Sequence, residues 1–337
     1  MFTKIVKNVN ESMISRFIID KPRFTKQEVA KETGLSFPTV GKIIDSFLQR
    51  QIVLDIGIDT SALGGRKPRL YCINPTFAYG ITMFFDETTF YCEVINAVGN
   101  SVEKFTKKVN AEGYLSTIKE IVSLKISENP KILSIAIGVH GGVAEGKILY
   151  IDGYDELVNC DLKQILEREF DLEVSVVNNM RTVVYGMADR QEIMQEETVV
   201  CLQIAPNGPG CGVLVNGKPL SGFAGLVGEV GYLPVYGTKN LQTVALSHFE
   251  DTDVLDYFAR LVTCVCVFLN PRQITIYKNE YVDNAEILRR KCAEYLPDIA
   301  IPEIYISPNY KIDFMFGLRK LVLNSFYPSY KIISNEQ

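Results

Sequence analysis

Histidine occurs only twice in the 337 residues, and the eight cysteines (Cys72, Cys92, Cys160, Cys201, Cys211, Cys264, Cys266, Cys292) never fall into a C-x-x-C pair. Zinc sites are built from such pairs or from clustered imidazoles, so no metal site is expected. The thiols sit in apolar runs. Cys264 and Cys266, two apart in a helical pattern, face different ways, and the whole set reads as reduced and buried. No window carries 18 apolar residues free of charged or strongly polar groups, and Met1 to Asn10 lacks the apolar core of a signal peptide. A cytoplasmic chain with no membrane partner is the expectation. Hydrophobic residues at 47% and charged residues at 22% exclude a disordered or fibrous chain, and the length allows more than one domain.

The net charge of −5 conceals an asymmetry. Residues 1–75 hold 12 Lys/Arg against 7 Asp/Glu, whereas the remainder holds 23 against 33. A basic head on an acidic body points to an anionic partner for the head alone.

Within that head, Val6, Val9, Met13, Phe17 and Ile18 fall at helical spacing, and Asp20-Lys21-Pro22 ends the helix. Thr25 with Glu28 forms a capping box for a second helix, which Gly34 closes in the left-handed conformation. Ser36 caps a third, whose Val40, Ile43, Ile44, Phe47 and Leu48 form an apolar stripe. Ser36, Phe37, Thr39 and Lys42 lie on its opposite, leading side. Strands over 52–58 and 68–73 then flank Gly64-Gly65-Arg66-Lys67-Pro68-Arg69. The pattern is a winged helix-turn-helix, with Ser36, Phe37, Thr39 and Lys42 aimed at base edges and Arg66, Lys67 and Arg69 at phosphates or a narrow minor groove. A small helical bundle using the same stripe as its core is the plainer alternative.

From Tyr79 onward strands and helices alternate, and the plan occurs twice. Strands at 79–85, 90–95 and 102–109, a helix at 114–126 and a strand at 132–139 make the first round. Helices at 162–170 and 181–190 enclose a strand at 174–177, and a second meander follows at 198–204 and 211–215, turned by Asn216-Gly217. A helix at 254–269, a strand at 273–277, a helix at 285–294, a strand at 304–306 and a helix at 314–325 complete what reads as the second lobe. The domains expected are 1–75 (winged helix), 76–178 (first lobe) and 179–337 (second lobe), with a ligand cleft between the lobes.

Five ordered motifs carry a resemblance over nearly the whole chain. They are Gly64-Gly65-Arg66-Lys67-Pro68; Gly138-Val139-His140-Gly141-Gly142 with Gly146-Lys147-Ile148; Val177-Asn178-Asn179; Asn207-Gly208-Pro209-Gly210-Cys211-Gly212; and Gly225-Leu226-Val227-Gly228-Glu229-Val230-Gly231-Tyr232. In this order the sequence resembles the ROK family of sugar kinases and winged-helix, sugar-responsive repressors. The resemblance implies an α/β fold in which a two-lobed actin-like body follows the winged helix.

The departures from that family's kinases decide the expected activity. Thr82 stands where the family's phosphate loop has its Asp, and Phe84 and Phe85 replace the glycines that admit phosphate. Asn179 stands at the catalytic Asp of the family's Asn-Asp pair, and an amide is no general base at neutral pH. Pro209 removes an N–H donor from the Gly208 to Gly212 loop, which therefore reads as a relic turn rather than an anion cradle. Tyr232 replaces a zinc-binding His, and 234–246 contain no cysteine. No catalytic residue, metal or cofactor is expected.

By resemblance the sugar contacts are Gly141, Asn178, Asn179 and Glu229, with Tyr232 in place of a sugar-touching His. Gln242 aligns with a further carboxylate, and His140 with a Pro. The reading is a transcriptional regulator, a repressor, with a non-catalytic sugar-sensing body. Its partners are a double-stranded DNA operator, a sugar or sugar-phosphate effector and a second copy of itself in a homodimer or higher oligomer. The alternatives are an active ATP-dependent sugar kinase carrying a DNA-binding head, and a body kept only as a dimerisation scaffold.

Overall fold

The computed structural model describes residues 2–19, 21–60, 67–110, 112–151, 153–194, 196–205, 208–249 and 252–327. The head begins with α1 (Phe2–Ile18), α2 (Lys26–Thr33) and α3 (Phe37–Gln49). Both halves of the capping box form: the Glu28 amide donates to Thr25 Oγ1 (3.1 Å), and the Thr25 amide donates to Glu28 Oε2 (2.7 Å). Gly34 closes α2 at φ 69°, and Ser36 Oγ accepts from the Thr39 amide to start α3. The strands β1 (Val53–Ile58) and β2 (Arg69–Ile73) pair antiparallel. Ile14, Ile18, Val29, Val40, Ile44 and Phe47 pack with Tyr71 and Ile73 into one core. The tip between these strands, with Gly64, Gly65 and Arg66, lies outside the described residues.

The body starts with β3 (Tyr79–Asp86), β4 (Thr89–Asn96), β5 (Ser101–Lys108), α4 (Tyr114–Glu128) and β6 (Ile132–Val139). Then come β7 (Gly141–Ala144), β8 (Lys147–Ile151), α5 (Leu162–Phe170), β9 (Glu173–Asn178) and α6 (Asn179–Arg190). The second round comprises β10 (Val199–Ala205), β11 (Gly208–Val215), β12 (Lys218–Pro219), α7 (Leu241–Leu246), α8 (Val254–Leu269), β13 (Gln273–Tyr277), α9 (Ala285–Cys292), β14 (Glu303–Ser307) and α10 (Tyr310–Ser325). The two five-stranded sheets have strand orders β5-β4-β3-β6-β9 and β12-β11-β10-β13-β14. Each is an antiparallel meander continued by two parallel strands. The duplication expected from the sequence is therefore a duplication of sheet topology.

Two local expectations are corrected, and one unassigned segment gains a structure. Gly208 to Gly212 is no turn but the first half of β11, paired with Ala205 to Cys201. Its glycines serve helix packing: a Cβ on Gly212 would lie 2.2 Å from Met180 O, and one on Gly210 would lie 2.9 Å from the Met180 side chain. A further element, for which the sequence carried no expectation, is the hairpin β7–β8 at 141–151, turned by Glu145 and Gly146 at φ 51° and 86°. The second correction is α10, expected in the second lobe, which lies along α6 and against β3, β6 and β9 of the first sheet.

That placement makes α6 and α10 a shared layer. Val183, Val184 and Met187 of α6 and Phe314, Leu318 and Val322 of α10 form one cluster with Phe84 and Ala136 on one side and Val199, Cys201 and Leu214 on the other. The helices touch backbone to backbone. A Cβ on Gly186 would sit 1.9 Å from Asp313 O, and one on Gly317 would sit 2.0 Å from Thr182 O. Beside the crossing, Asp313 is fully buried, accepting from Arg190 Nε (2.6 Å) and Tyr277 Oη (2.7 Å).

Gly186→Ala and Gly317→Ala are each expected to cost about 3 kcal/mol or more in urea unfolding, because the atoms in the way are main chain and cannot yield as side chains do. Gly41→Ala in α3, where nothing lies within 4 Å of the added carbon, is expected to stabilise by about 0.5–1 kcal/mol.

Candidate functional site

The carboxyl ends of β6 and β9 face the start of β11 and the 228–232 segment across a cleft. Gly141, Asn178, Asn179, Glu229 and Tyr232, the five positions singled out in the sequence, all line it, together with His140, Tyr150, Gln203 and Gln242. The ends of β6 and β9 supply His140 and Asn178, because a strand that stops at the crevice leaves its last residues facing it, whereas Glu229 and Tyr232 come from the short turn at 229–232 and Gln242 from α7.

The two adjacent asparagines do different work. Asn178 is the N-cap of α6: its Oδ1 accepts from the Arg181 amide (3.1 Å), and its Nδ2 donates to Gly141 O (2.9 Å). It therefore ties the start of α6 to the start of β7. Asn179 donates from Nδ2 to Tyr310 Oη (3.0 Å), and the same hydroxyl lies 3.4 Å from His140 Nε2. Tyr310, Tyr277, Phe314 and His140 pack ring against ring behind the cleft wall. Burial lowers the His140 pKa below 6.5; Asp86 and the Phe85 backbone oppose the shift, and Lys311 adds to it.

Glu229 stands beside Tyr150, whose pKa is raised by burial and by that carboxylate. Behind them Arg181 is buried, and its pKa is lowered by burial against the pull of Glu229. Its Nη1 donates to Val143 O (3.0 Å) and its Nη2 to Gly225 O (2.7 Å). One α6 side chain thus clasps the β7–β8 hairpin of one round to the Gly225 loop of the other.

Further along, Asp256 accepts from Tyr236 Oη (3.0 Å), from Arg260 Nε (2.7 Å) and from Tyr295 Oη. Tyr257 Oη donates to Leu241 O (3.1 Å). These contacts fasten the segment after Tyr232 with side chains. Among the described residues no group of three His, Cys, Asp or Glu side chains is gathered as a metal site, so the donors here do not fit the family's zinc. All eight cysteines are free thiols.

The strand β3 runs on to Asp86 without a break. Phe84 stacks on Tyr91 (5.0 Å) and meets Phe314 at a tilt (4.9 Å), and Phe85 packs against Phe90 and Tyr154. Thr82 is fully buried and its hydroxyl has no partner. In the head, Ser36, Phe37 and Lys42 are exposed and Thr39 is half-buried. Lys67 and Arg69 are exposed as well, Arg69 pairing with Asp55 at 2.6 Å, while Arg66 lies outside the described residues.

Arg181, Tyr150, Gln203 and Tyr310 are among the site residues that sequence reasoning missed. The Glu145-Gly146 pair between Val143 and Ile148 was the available signal for the hairpin that carries Tyr150. Nothing local marks Tyr310, which meets Asn179 across 131 positions.

Two rounds of one α/β plan, closing on a cleft with a shared pair of helices between them, define a protein of the actin-like sugar-kinase fold with an added N-terminal head. The ROK family model matches residues 87–274, and the chain belongs to that family. It is 21% identical over 237 residues to a xylose repressor of Bacillus spizizenii, covering 68% of this chain and 61% of that protein. The chain spans about 60% of the length of the curated relatives it matches. A ROK family transcriptional regulator described as a homologue of the E. coli MLC protein superposes with TM-score 0.76 at 16% identity, covering 95% of this chain and 97% of that one. A ROK glucokinase of Streptomyces griseus, solved with glucose and AMPPNP, superposes with TM-score 0.56 at 16% identity over 72% of this chain and 99% of that one. Among the described residues no helix is long and apolar enough to cross a membrane.

Because the fold holds His140 neutral, the unfolded chain takes up a proton that the native state refuses, and stability falls as pH drops below about 6.5. His140→Gln is expected to flatten this fall, read as the change in Tm between about pH 7.5 and pH 5.5. An identical slope in the variant removes His140 as its source.

Proposed function

We propose that this chain is a DNA-binding transcriptional repressor whose body senses a sugar or sugar phosphate without phosphorylating it. The observation that carries the reading is Asn179. The first residue of α6 faces the cleft where a kinase needs a carboxylate, and its amide is bonded to Tyr310. An amide accepts no proton from a sugar hydroxyl near neutral pH. The buried rings of Phe84 and Phe85 support the same reading, since they fill the ground over which phosphate would approach a glycine loop. Several of the relatives are xylose repressors and one is an N-acetylglucosamine repressor, which makes D-xylose the first sugar to test and N-acetylglucosamine the second.

In this reading residues 1–75 are a winged helix-turn-helix, with 76–178 and 179–337 supplying the two lobes and α10 returning to the first. Ser36, Phe37, Thr39 and Lys42 meet base edges, and Arg66, Lys67 and Arg69 meet phosphates. A homodimer sets two α3 helices about one DNA turn apart on a two-fold symmetric operator. Gly141, Asn178, Asn179, Glu229 and Tyr232 hold the effector, Asn178 chiefly by shaping the wall. The effector shifts DNA affinity to the extent that it binds one cleft closure better than the other.

Incubated with ATP and a panel of D-glucose, D-xylose and amino sugars, the protein is expected to release no ADP above a blank. Turnover that Asn179→Ala abolishes establishes the kinase instead. In DNA titrations, Lys67→Ala with Arg69→Ala is expected to weaken binding evenly across sequences and to lower the salt slope by about one for each phosphate left without its cation. Lys42→Ala is expected to change sequence preference. Glu229→Ala is expected to remove the sugar effect on DNA affinity while DNA binding persists; a full sugar response in that variant places the pocket elsewhere.

A further inference from the structure

One helix reaches both the cleft and the head. The first residue of α10, Tyr310, bonds to Asn179 and touches His140. Just past its last residue, Phe326 and Tyr327 pack on Phe77 with ring centroids 6.1 and 5.8 Å away, and Tyr327 is buried in the head's own core with Ile14, Ile18 and Ile44. The 16 residues between these ends span about 24 Å at 1.5 Å per residue.

Little slack exists along that span. Gly317 rests on the α6 main chain, Asp313 is held by Arg190 and Tyr277, and Arg319 forks onto both carboxylate oxygens of Glu93 in β4 at 2.8 and 2.9 Å. A helix held by main-chain contact and by ion pairs to two buried carboxylates moves as a body, because close-packed interiors pass displacement on rather than absorb it.

We propose that α10 is the element that reports the state of the cleft to the head, with Tyr310 as the positioning residue at its sensing end and Tyr327 as its seat in the head core. Tyr310 fixes the plane of the Asn179 amide. A sugar hydroxyl that re-bonds Asn179 changes the load on Tyr310, and the shift arrives at Tyr327 beneath α1 and α3. The proposal deepens the sensor reading and rests on it for the identity of the signal, but the mechanical link can be measured without any sugar.

The experiment uses full-length protein with labelled isoleucine methyl groups, for which Ile14, Ile18, Ile44 and Ile73 report on the head core. Tyr310→Phe keeps the ring and removes only the hydroxyl. Its expected result is displaced head methyl resonances in a folded protein, whereas Gln203→Ala, in the same cleft on β10, leaves them in place. Tyr327→Leu combined with Tyr310→Phe is expected to lose the displacement that Tyr310→Phe causes when measured against Tyr327→Leu alone. Head resonances of Tyr310→Phe that superimpose on the parent, or that move equally in Gln203→Ala, overturn the proposal. D-xylose is then titrated into the parent. Movement of cleft resonances without head resonances also overturns it, whereas no sugar binding alongside a displaced head in Tyr310→Phe defeats the xylose-sensor reading and leaves the link standing.

Discussion

The body is organised around a contact that has no side chain in it. Where α6 crosses α10, Gly186 and Gly317 let two main chains approach so closely that neither position has room for a methyl group. That closeness sets the spacing of the two sheets, since both pack on the same helix pair. It also decides where the cleft opens, because α6 begins at Asn178 and Asn179 on the cleft wall and α10 begins at Tyr310 just behind it. Dispersion and burial hold the layer, but the glycines fix its geometry.

Within this frame polar groups are used sparingly and in pairs. Asp313 is fully buried, yet its carboxylate is matched by Arg190 and Tyr277, the condition under which a buried charge is tolerable. Glu229, the carboxylate that faces the cleft, has a neutral Tyr150 and a buried Arg181 behind it. Burial disfavours the charged form of His140. The lining of the cleft is thus mostly uncharged hydrogen-bonding groups with one carboxylate, Glu229.

Legibility in the sequence followed the range of the interaction. Capped helices could be read to the residue, because Thr25 with Glu28 and Ser36 with Thr39 are contacts between near neighbours. The helix at 254–269 and the strand at 273–277 stood out by apolar periodicity and the intervening Pro271. The duplicated meanders were visible for the same reason. Glycine misled at Gly208 to Gly212, where it marks an approach to Met180 rather than a turn. The positions along the cleft came from motif order, whereas their partners did not. Tyr310 and Arg181 act on residues far away in the chain, and no local pattern records such a pairing. The placement of α10 was hidden likewise, since an amphipathic stripe tells that a face is covered and not by which sheet.

The Arg181 clasp has an evolutionary reading. Its acceptors are the carbonyl oxygens of Val143 and Gly225, groups that every residue type presents. The hairpin and the loop can therefore exchange their side chains, among them the fully exposed Phe223 and the half-exposed Leu226, without loosening the tie between them. Point substitution can thus reshape the exposed faces of both segments while the tie between them, made to main chain only, stays the same.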